Sequence, residues 1–478
     1  MKYLPSAKFF GKGIKSPLKR ELAQLTVPIF IETALIMMLG AMDTFMLSRH
    51  SDESVAAVGL SNQVISFCFL IFEVINLGTS VLCSQYLGAR LRERMETLIG
   101  VSLVVNFLFG IAVSSFLYFR AGPVLAALGL EGRMLGMGTG YMEIVGALAF
   151  MQALSLTLSA VLRSNNKAVY PMMVILVVNA MNILGNYALI FGKFGMPEMG
   201  VNGAALSTVI SRCVAAVILG VIVFRTTVRR FPTHIFRHWP AQEFRNLMKI
   251  GLPSAGESLS YSCSQLVIAF FITSLGMEAL AARTYCVNII MFTYLFCIAI
   301  SHAGAISIGH LVGAARWHGA FVMGKYVMRV AVVITFSISL CMALGSGWIM
   351  RSLTDNPEII ALGTAILWID VILEIGRPVN IFAVNALQSA GDVNYPFYVG
   401  LIFMWVVAVG MAWWAGIALG FGVLGMWWMF TLDENLRGIV FMRRWYGKRW
   451  MHKGFTGITP APPASEEEEN TEKALRTA

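Results

Sequence analysis

The stretch "LIMMLGAMDTFMLSR" places Asp43 in an apolar run that reaches back almost unbroken to Leu22. A charged aspartate at the centre of a bilayer costs about 2.5–3.5 kcal/mol on insertion scales, so such residues usually face an interior and serve a pathway. Asn182 and Asn186 stand in "VVNAMNILGNYALIFG", one helical turn apart on one face, and Thr208 follows in "GAALSTVIS". An acid, two amides and a hydroxyl can form one ion-coupling site, or they can make separate helix–helix hydrogen bonds. A second polar group lies in "LWIDVILEIGRPVNIFAVNALQSAGD". There Asp370 and Glu374 are one turn apart, and Arg377 is three residues beyond Glu374, which makes a Glu–Arg pair on one helix sterically easy. In this reading Asp370 stays unpaired, and Asp370, Glu374 and Arg377 form a candidate substrate or second proton site. Glu32 and Glu257 each follow a proline by four residues, and Arg212 is alone in its apolar segment. These three read as structural: the acids satisfy backbone groups near the prolines, and Arg212 needs an acidic or carbonyl partner.

These residues need elements to hold them. The chain has 478 residues, of which 57% are hydrophobic and 13% charged. The charges cluster between apolar segments long enough to cross a hydrocarbon layer of roughly 30 Å as helices of about 20 residues. Barrel strands of about 10 residues are too short for these runs. The pattern predicts an all-α membrane protein with twelve spans, near 22–47, 56–84, 97–119, 137–162, 169–192, 201–224, 247–274, 281–309, 322–350, 360–387, 395–419 and 422–442. The first span is too long for a cleaved signal peptide.

The net charge of +10 does not point to nucleic acid. Lys2, Lys8, Lys12, Lys15, Lys19 and Arg20 precede span 1, Arg225, Arg229, Arg230, Arg237 and Arg245 lie between spans 6 and 7, and Arg443, Arg444, Lys448, Arg449 and Lys453 follow span 12. Twelve spans put all three segments on one side, and the positive-inside rule makes that side, with both termini, cytoplasmic. The seven cysteines fall inside spans as apolar packing residues, with no disulfide framework or metal site indicated.

The chain contains itself twice. A shift of 225 residues pairs Pro28 with Pro253, Glu32 with Glu257, Gly88-Ala89 with Gly313-Ala314, and Tyr170-Pro171 with Tyr395-Pro396. Six spans separate equivalent points, so the halves are parallel repeats, as in one class of secondary transporter, and imply a cavity between them. The expected organisation is a cytoplasmic segment 1–21, an N-lobe 22–224, a cytoplasmic linker 225–246, a C-lobe 247–444 and a cytoplasmic tail 445–478. That tail, Pro-rich and then acidic, reads as disordered. Asp43 maps onto Ile268, Asn182 onto Val407 and Asn186 onto Met411, so the first half is polar where the second is apolar. At 1.5 Å per residue, Asp43, Asn186 and Thr208 sit roughly 8–12 Å inside the external face, within a turn of one another.

"MDTFMLSR", "SQYLGAR", "LRSNNKAVYPM", "NILGNYALIFGKFGMPEMGVNGAALSTVIS" and "LQSAGDVNYP" together resemble the multidrug and toxic compound extrusion (MATE) family over residues 20–445. The resemblance implies two six-helix lobes in a V that export organic, often cationic or aromatic, compounds in exchange for H⁺ or Na⁺ across a bacterial inner membrane, with no cofactor. It makes Asp43 the coupling acid, with Asn182 and Thr208 beside it. Asn186 departs from the Asp that many members carry, which favours H⁺ over Na⁺. Arg212 and Arg377 are the deep cations read here, few for the alternative of a flippase for a lipid-linked or amphipathic metabolite. No HExxH, GxSxG or Ser/His/Asp grouping suggests an enzyme. The expected partners are small organic molecules and membrane lipid, with the chain a monomer.

Overall fold

The computed structural model describes residues 17–228 and 231–457, and among these the regular structure is helical. Lys2, Lys8, Lys12, Lys15, Arg229, Arg230 and residues 458–478 of the tail lie outside the described residues. The helices are α1 (Pro17–Ser48), α2 (Asp52–Gly88), α3 (Arg92–Ala127), α4 (Gly132–Ala147), α5 (Ala149–Ser164), α6 (Val169–Ile190), α7 (Gly200–Thr226), α8 (Ala241–Thr273), α9 (Met277–Gly313), α10 (Trp317–Leu344), α11 (Ser346–Leu353), α12 (Pro357–Ser389), α13 (Asn394–Phe403) and α14 (Gly422–Tyr446). After α13 the same rod continues with π-helical winding over Met404–Met411 and Trp414–Ala418. Among the described residues nine helices are long and apolar enough to cross a membrane, and α4 and α5 make a further, bent span. α8 and α14 are more polar: α8 carries Glu257 and several serines in its membrane stretch, and α14 carries Asp433, Glu434 and Arg437. With them the chain has twelve membrane helices in two six-helix repeats.

The span expected at 137–162 is two helices that meet at Leu148 with a bend of 50°. No proline causes it. Side chains of α3 enter the hydrogen-bond ladder there: Ser114 Oγ accepts from the Phe150 N–H at 3.2 Å, and Asn106 Nδ2 donates to the Ala153 carbonyl at 2.9 Å. Polar side chains that replace ladder bonds are a recognised cause of a sharp bend. α12 runs unbroken from Pro357 to Ser389 with Pro378 inside it, and this proline cannot bond the carbonyl four residues back. That carbonyl belongs to Glu374, and Thr335 Oγ1 of α10 donates to it at 3.3 Å.

The chain forms two compact units. The first comprises Val27–Cys83 and Leu91–Gly251. The second comprises residues 17–26 and Ser84–Arg90 together with the described chain from Leu252 onward. In the first unit, buried Phe72, Leu117, Tyr141 and Met142 belong to a core shared by α2, α3, α4 and α7. In the second, Ile268, Cys286, Ile366 and Met426 do the same for α8, α9, α12 and α14. Large apolar side chains such as Leu108, Phe119, Phe270 and Phe292 remain exposed, as lipid-facing surfaces require.

The repeat is visible in detail. Glu32 accepts from Arg163 Nη1 at 2.7 Å, and Glu257 accepts from Gln388 Nε2 at 3.1 Å. Each partner is 131 residues from its acid, so the pairs are equivalent at the 225-residue shift. This corrects the expectation that the two acids answer backbone groups near the prolines: the partner shown for each is a side chain. In the last span of each unit the shift shortens to 222, where Gly200-Val201 corresponds to Gly422-Val423. Both glycines open their helix at positive φ, +53° and +62°, a conformation that glycine adopts without the steric cost of a Cβ.

Candidate functional site

In the first unit α6 and α7 approach closely because both present glycine. A Cβ on Gly203 would lie 2.5 Å from the Leu189 carbonyl oxygen, and one on Gly185 would lie 2.4 Å from Ser207 Oγ. Small residues at such crossings let the backbones come together. The approach seats Asn182 against α7: its Nδ2 donates to Thr208 Oγ1 at 3.3 Å, and its carbonyl accepts from Ser207 Oγ at 3.0 Å. One turn along, Asn186 Nδ2 donates both to Asn182 Oδ1 at 3.0 Å and to Asp43 Oδ1 at 2.6 Å. The structure therefore brings Asp43, Asn186, Asn182 and Thr208 into one chain of hydrogen bonds across α1, α6 and α7.

The chain has a definite polarity. The amides are fully buried, at 1% and 0% exposure for Asn182 and Asn186, while Asp43 is half-buried. Asn186 spends donor capacity on both neighbours, and its own Oδ1 is buried without a partner among the described residues. Asn179, one turn earlier on α6, donates to the Leu35 carbonyl at 2.7 Å and fastens α6 to α1 below the acid. Sequence reasoning passed over this third asparagine, although its spacing from Asn182 and Asn186 puts it on their face.

Arg212 is not held as expected. Its Nη1 is buried without a hydrogen-bond partner among the described residues, and its guanidinium lies 5.4 Å from the centroid of the Phe69 ring. It is within electrostatic range of Asp43 and Tyr141. In place of an acidic or carbonyl partner bonded to it, it has an aromatic face, an arrangement favourable to a cation in a dry setting.

The second unit gathers charges, at other positions, in place of amides. Arg377 bonds Glu374 on its own helix, and its Nη2 stands 3.5 Å from Asp370 Oδ1. Ser339 Oγ of α10 donates to Asp370 Oδ2 at 3.3 Å. Asp370 is thus paired, a correction to the unpaired acid expected from sequence. One guanidinium reaches back both three and seven positions, one and two turns along the same face.

Arg212 and Arg377 are also not the only deep cations. On α14, Arg437 bonds Asp433 one turn back and Glu434 at 3.0 Å, and Asn380 Nδ2 of α12 donates to the other oxygen of Glu434 at 2.6 Å. Arg283 of α9 lies near this group, within electrostatic range of Tyr261. The signal for the α14 set was present in "TLDENLR", where acids three and four residues before an arginine sit inside an otherwise apolar span.

Comparison with known proteins follows the same outline. The MatE family model matches residues 28–188 and 253–414, one stretch in each repeat. A Bacillus subtilis (strain 168) protein described as an uncharacterized transporter, YisQ, is 38% identical over 453 residues, covering 94% of this chain and 100% of that protein. A probable multidrug resistance protein NorM of Thermotoga maritima is 24% identical over 453 residues, covering 94% of this chain and 97% of that protein. Among solved structures, the Vibrio cholerae MATE transporter VcmN in its bent form aligns with TM-score 0.81 at 18% identity, over 90% of this chain and 97% of that one. This last likeness speaks to the fold.

Proposed function

This chain belongs to the MatE family of membrane transporters, and on that premise we propose that it is a proton-coupled antiporter exporting organic, often aromatic or cationic, compounds through alternating access. Its setting is a bacterial inner membrane with both termini cytoplasmic, a reading supported by the Lys/Arg bias of the connecting segments. The observation that carries the proposal is the hydrogen-bond chain that ends on Asp43.

Asp43 is the single carboxylate of that chain, and Arg212 lies within its electrostatic range. A proton needs one carboxylate oxygen. A sodium ion needs several oxygens, and the cationic neighbour disfavours it; two unit charges 4 Å apart repel by about 4 kcal/mol at an effective dielectric near 20, and less at longer range. With Asp43 protonated, the Asn186–Asn182–Thr208 chain is left with one weaker bond; with Asp43 charged, the same chain holds the carboxylate firmly. Substrate and proton then alternate by changing what Asp43 asks of its neighbours.

The test uses everted membrane vesicles and the fluorescent cation ethidium, with a pH gradient and a Na⁺ gradient imposed separately. Uptake driven by pH alone is the expected result. Uptake that requires Na⁺ overturns proton coupling. Arg283 and Arg437 give the flippase reading more cationic character than the sequence suggested; movement of a labelled anionic lipid, with no ethidium uptake under either gradient, would favour it.

A further inference from the structure

A cavity of ≈ 200 Å³ lies wholly within the second unit, bounded by α8, α9, α12, α14 and the π-helical segment. Since a water takes about 30 Å³ in the liquid, this is room for roughly seven waters or one small aromatic molecule. Much of its wall is apolar, including Met291, Leu373, Trp427 and Phe430. The polar part carries three guanidiniums, from Arg283, Arg377 and Arg437, and the carboxylates of Asp433 and Glu434.

Most of these charges are already answered. Arg377 is held by Glu374 and Asp370. Arg437 is held by Asp433 and Glu434, and the second oxygen of Glu434 is taken by Asn380. The remaining oxygen of Asp433, Oδ1, is buried out of reach of a ligand. Arg283 differs. It is half-buried, lines the cavity, and has no hydrogen bond or ion pair with any described residue. Tyr261 and Tyr294 line the same space. A guanidinium offers five donors and no acceptor, and an arginine inside a membrane helix calls for an acceptor partner. The carboxylates around Arg377 and Arg437 outnumber those two guanidiniums four to two, but all four are turned to them, so the acceptor still missing in this cavity is the one for Arg283.

We propose that this cavity binds a small amphipathic organic anion, with its carboxylate on Arg283 and its ring against Trp427 and Phe430. The inference rests on the transporter reading above and gives it a substrate class beyond organic cations. A planar carboxylate suits a guanidinium because two parallel N–H···O bonds can form at once. On α12 and α14 four carboxylates face two guanidiniums, so those helices offer no second free cation and the ligand's carboxylate depends on Arg283.

The experiment is isothermal titration of the full chain in nanodiscs with 2-naphthoate and, separately, with 2-naphthylmethylamine, subtracting empty nanodiscs. Naphthoate should bind saturably and more tightly than the amine. Arg283→Gln should weaken naphthoate at least ten-fold and leave the amine within about two-fold, and Arg283→Lys should recover part of the loss. Thermal melting of both variants guards against misfolding, and Arg283→Lys carries the test if Arg283→Gln is unstable. Unchanged naphthoate affinity in Arg283→Gln overturns the proposal, and so does an equal loss for the amine. No gradient and no role for Asp43 enter this measurement. Failure of proton-driven ethidium uptake therefore strikes the function reading alone, while failure of Arg283-dependent binding strikes this one alone.

Discussion

The two units place polar groups in their membrane helices by opposite means. The first has a relay of amides that ends on one acid, Asp43; its two end bonds run between helices, α1 to α6 and α6 to α7, and one bond inside α6 joins them. The second collects acids and arginines, and its shortest ion pairs run within a helix, at i,i+3 on α12 and at i,i+4 on α14. Charges neutralised by their own helix move with it and need no counterpart elsewhere. A carboxylate whose hydrogen-bond partner is an amide has no cation bonded to it, so its protonation can change without breaking an ion pair, and Arg212, within its electrostatic range, rests against the Phe69 ring. On the proposed function, exchange belongs to the first unit, and charge-locked scaffolding with the proposed binding cavity to the second. The Glu32–Arg163 and Glu257–Gln388 pairs serve as a control, because there the two units solve one problem at one position.

Breaking the second unit's lock should have the largest effect. Arg377→Met leaves Glu374 and Asp370 buried without their cation, and breaking a buried pair from one side costs about 3–5 kcal/mol. The melting temperature in detergent should fall sharply, whereas simultaneous Arg377→Met and Glu374→Leu should restore much of it. Adding charge to the first unit sharpens the contrast: Asn186→Asp sets a second carboxylate against Asp43, and ethidium uptake should acquire Na⁺ dependence in gradient-resolved vesicle assays. A smaller change follows Arg163→Gln, which copies the second unit's pair into the first. It should lower stability by about 1–2 kcal/mol, the difference between a charged and a neutral hydrogen bond, with transport retained. Thr208→Ala removes the far end of the relay and should cost about 0.5–1.5 kcal/mol, read as a small shift in melting.

Asp43, Asn182, Asn186 and Thr208 were legible because an apolar background makes each polar residue conspicuous, and helical rise converts position into depth. Gly185 and Gly203, which let the relay close, gave no such signal; a glycine in a membrane helix does not reveal which backbone it meets. The partners of Glu32 and Glu257 lie 131 residues away, a pairing that no local spacing encodes. Arg437 was overlooked although its acids were adjacent in sequence, since charge in a span does not announce whether it faces core or lipid. The repeat could have helped, but its register changes from 225 to 222 in the last span, so a fixed shift compares α7 with α14 three residues out of step. The bend between α4 and α5 is hidden for a different reason: its cause, Ser114 and Asn106, resides on α3.

The claim at the centre is that Asp43 carries the exchanged proton, and it can be measured without a gradient. Purified protein in weakly buffered detergent solution, mixed with ethidium, should acidify the medium, and an indicator dye should report that release. Asp43→Asn keeps a hydrogen-bonding side chain beside Asn186 and should fold and melt as the parent does, yet release no proton. Equal proton release from parent and variant would contradict the account and move the exchange to another acid.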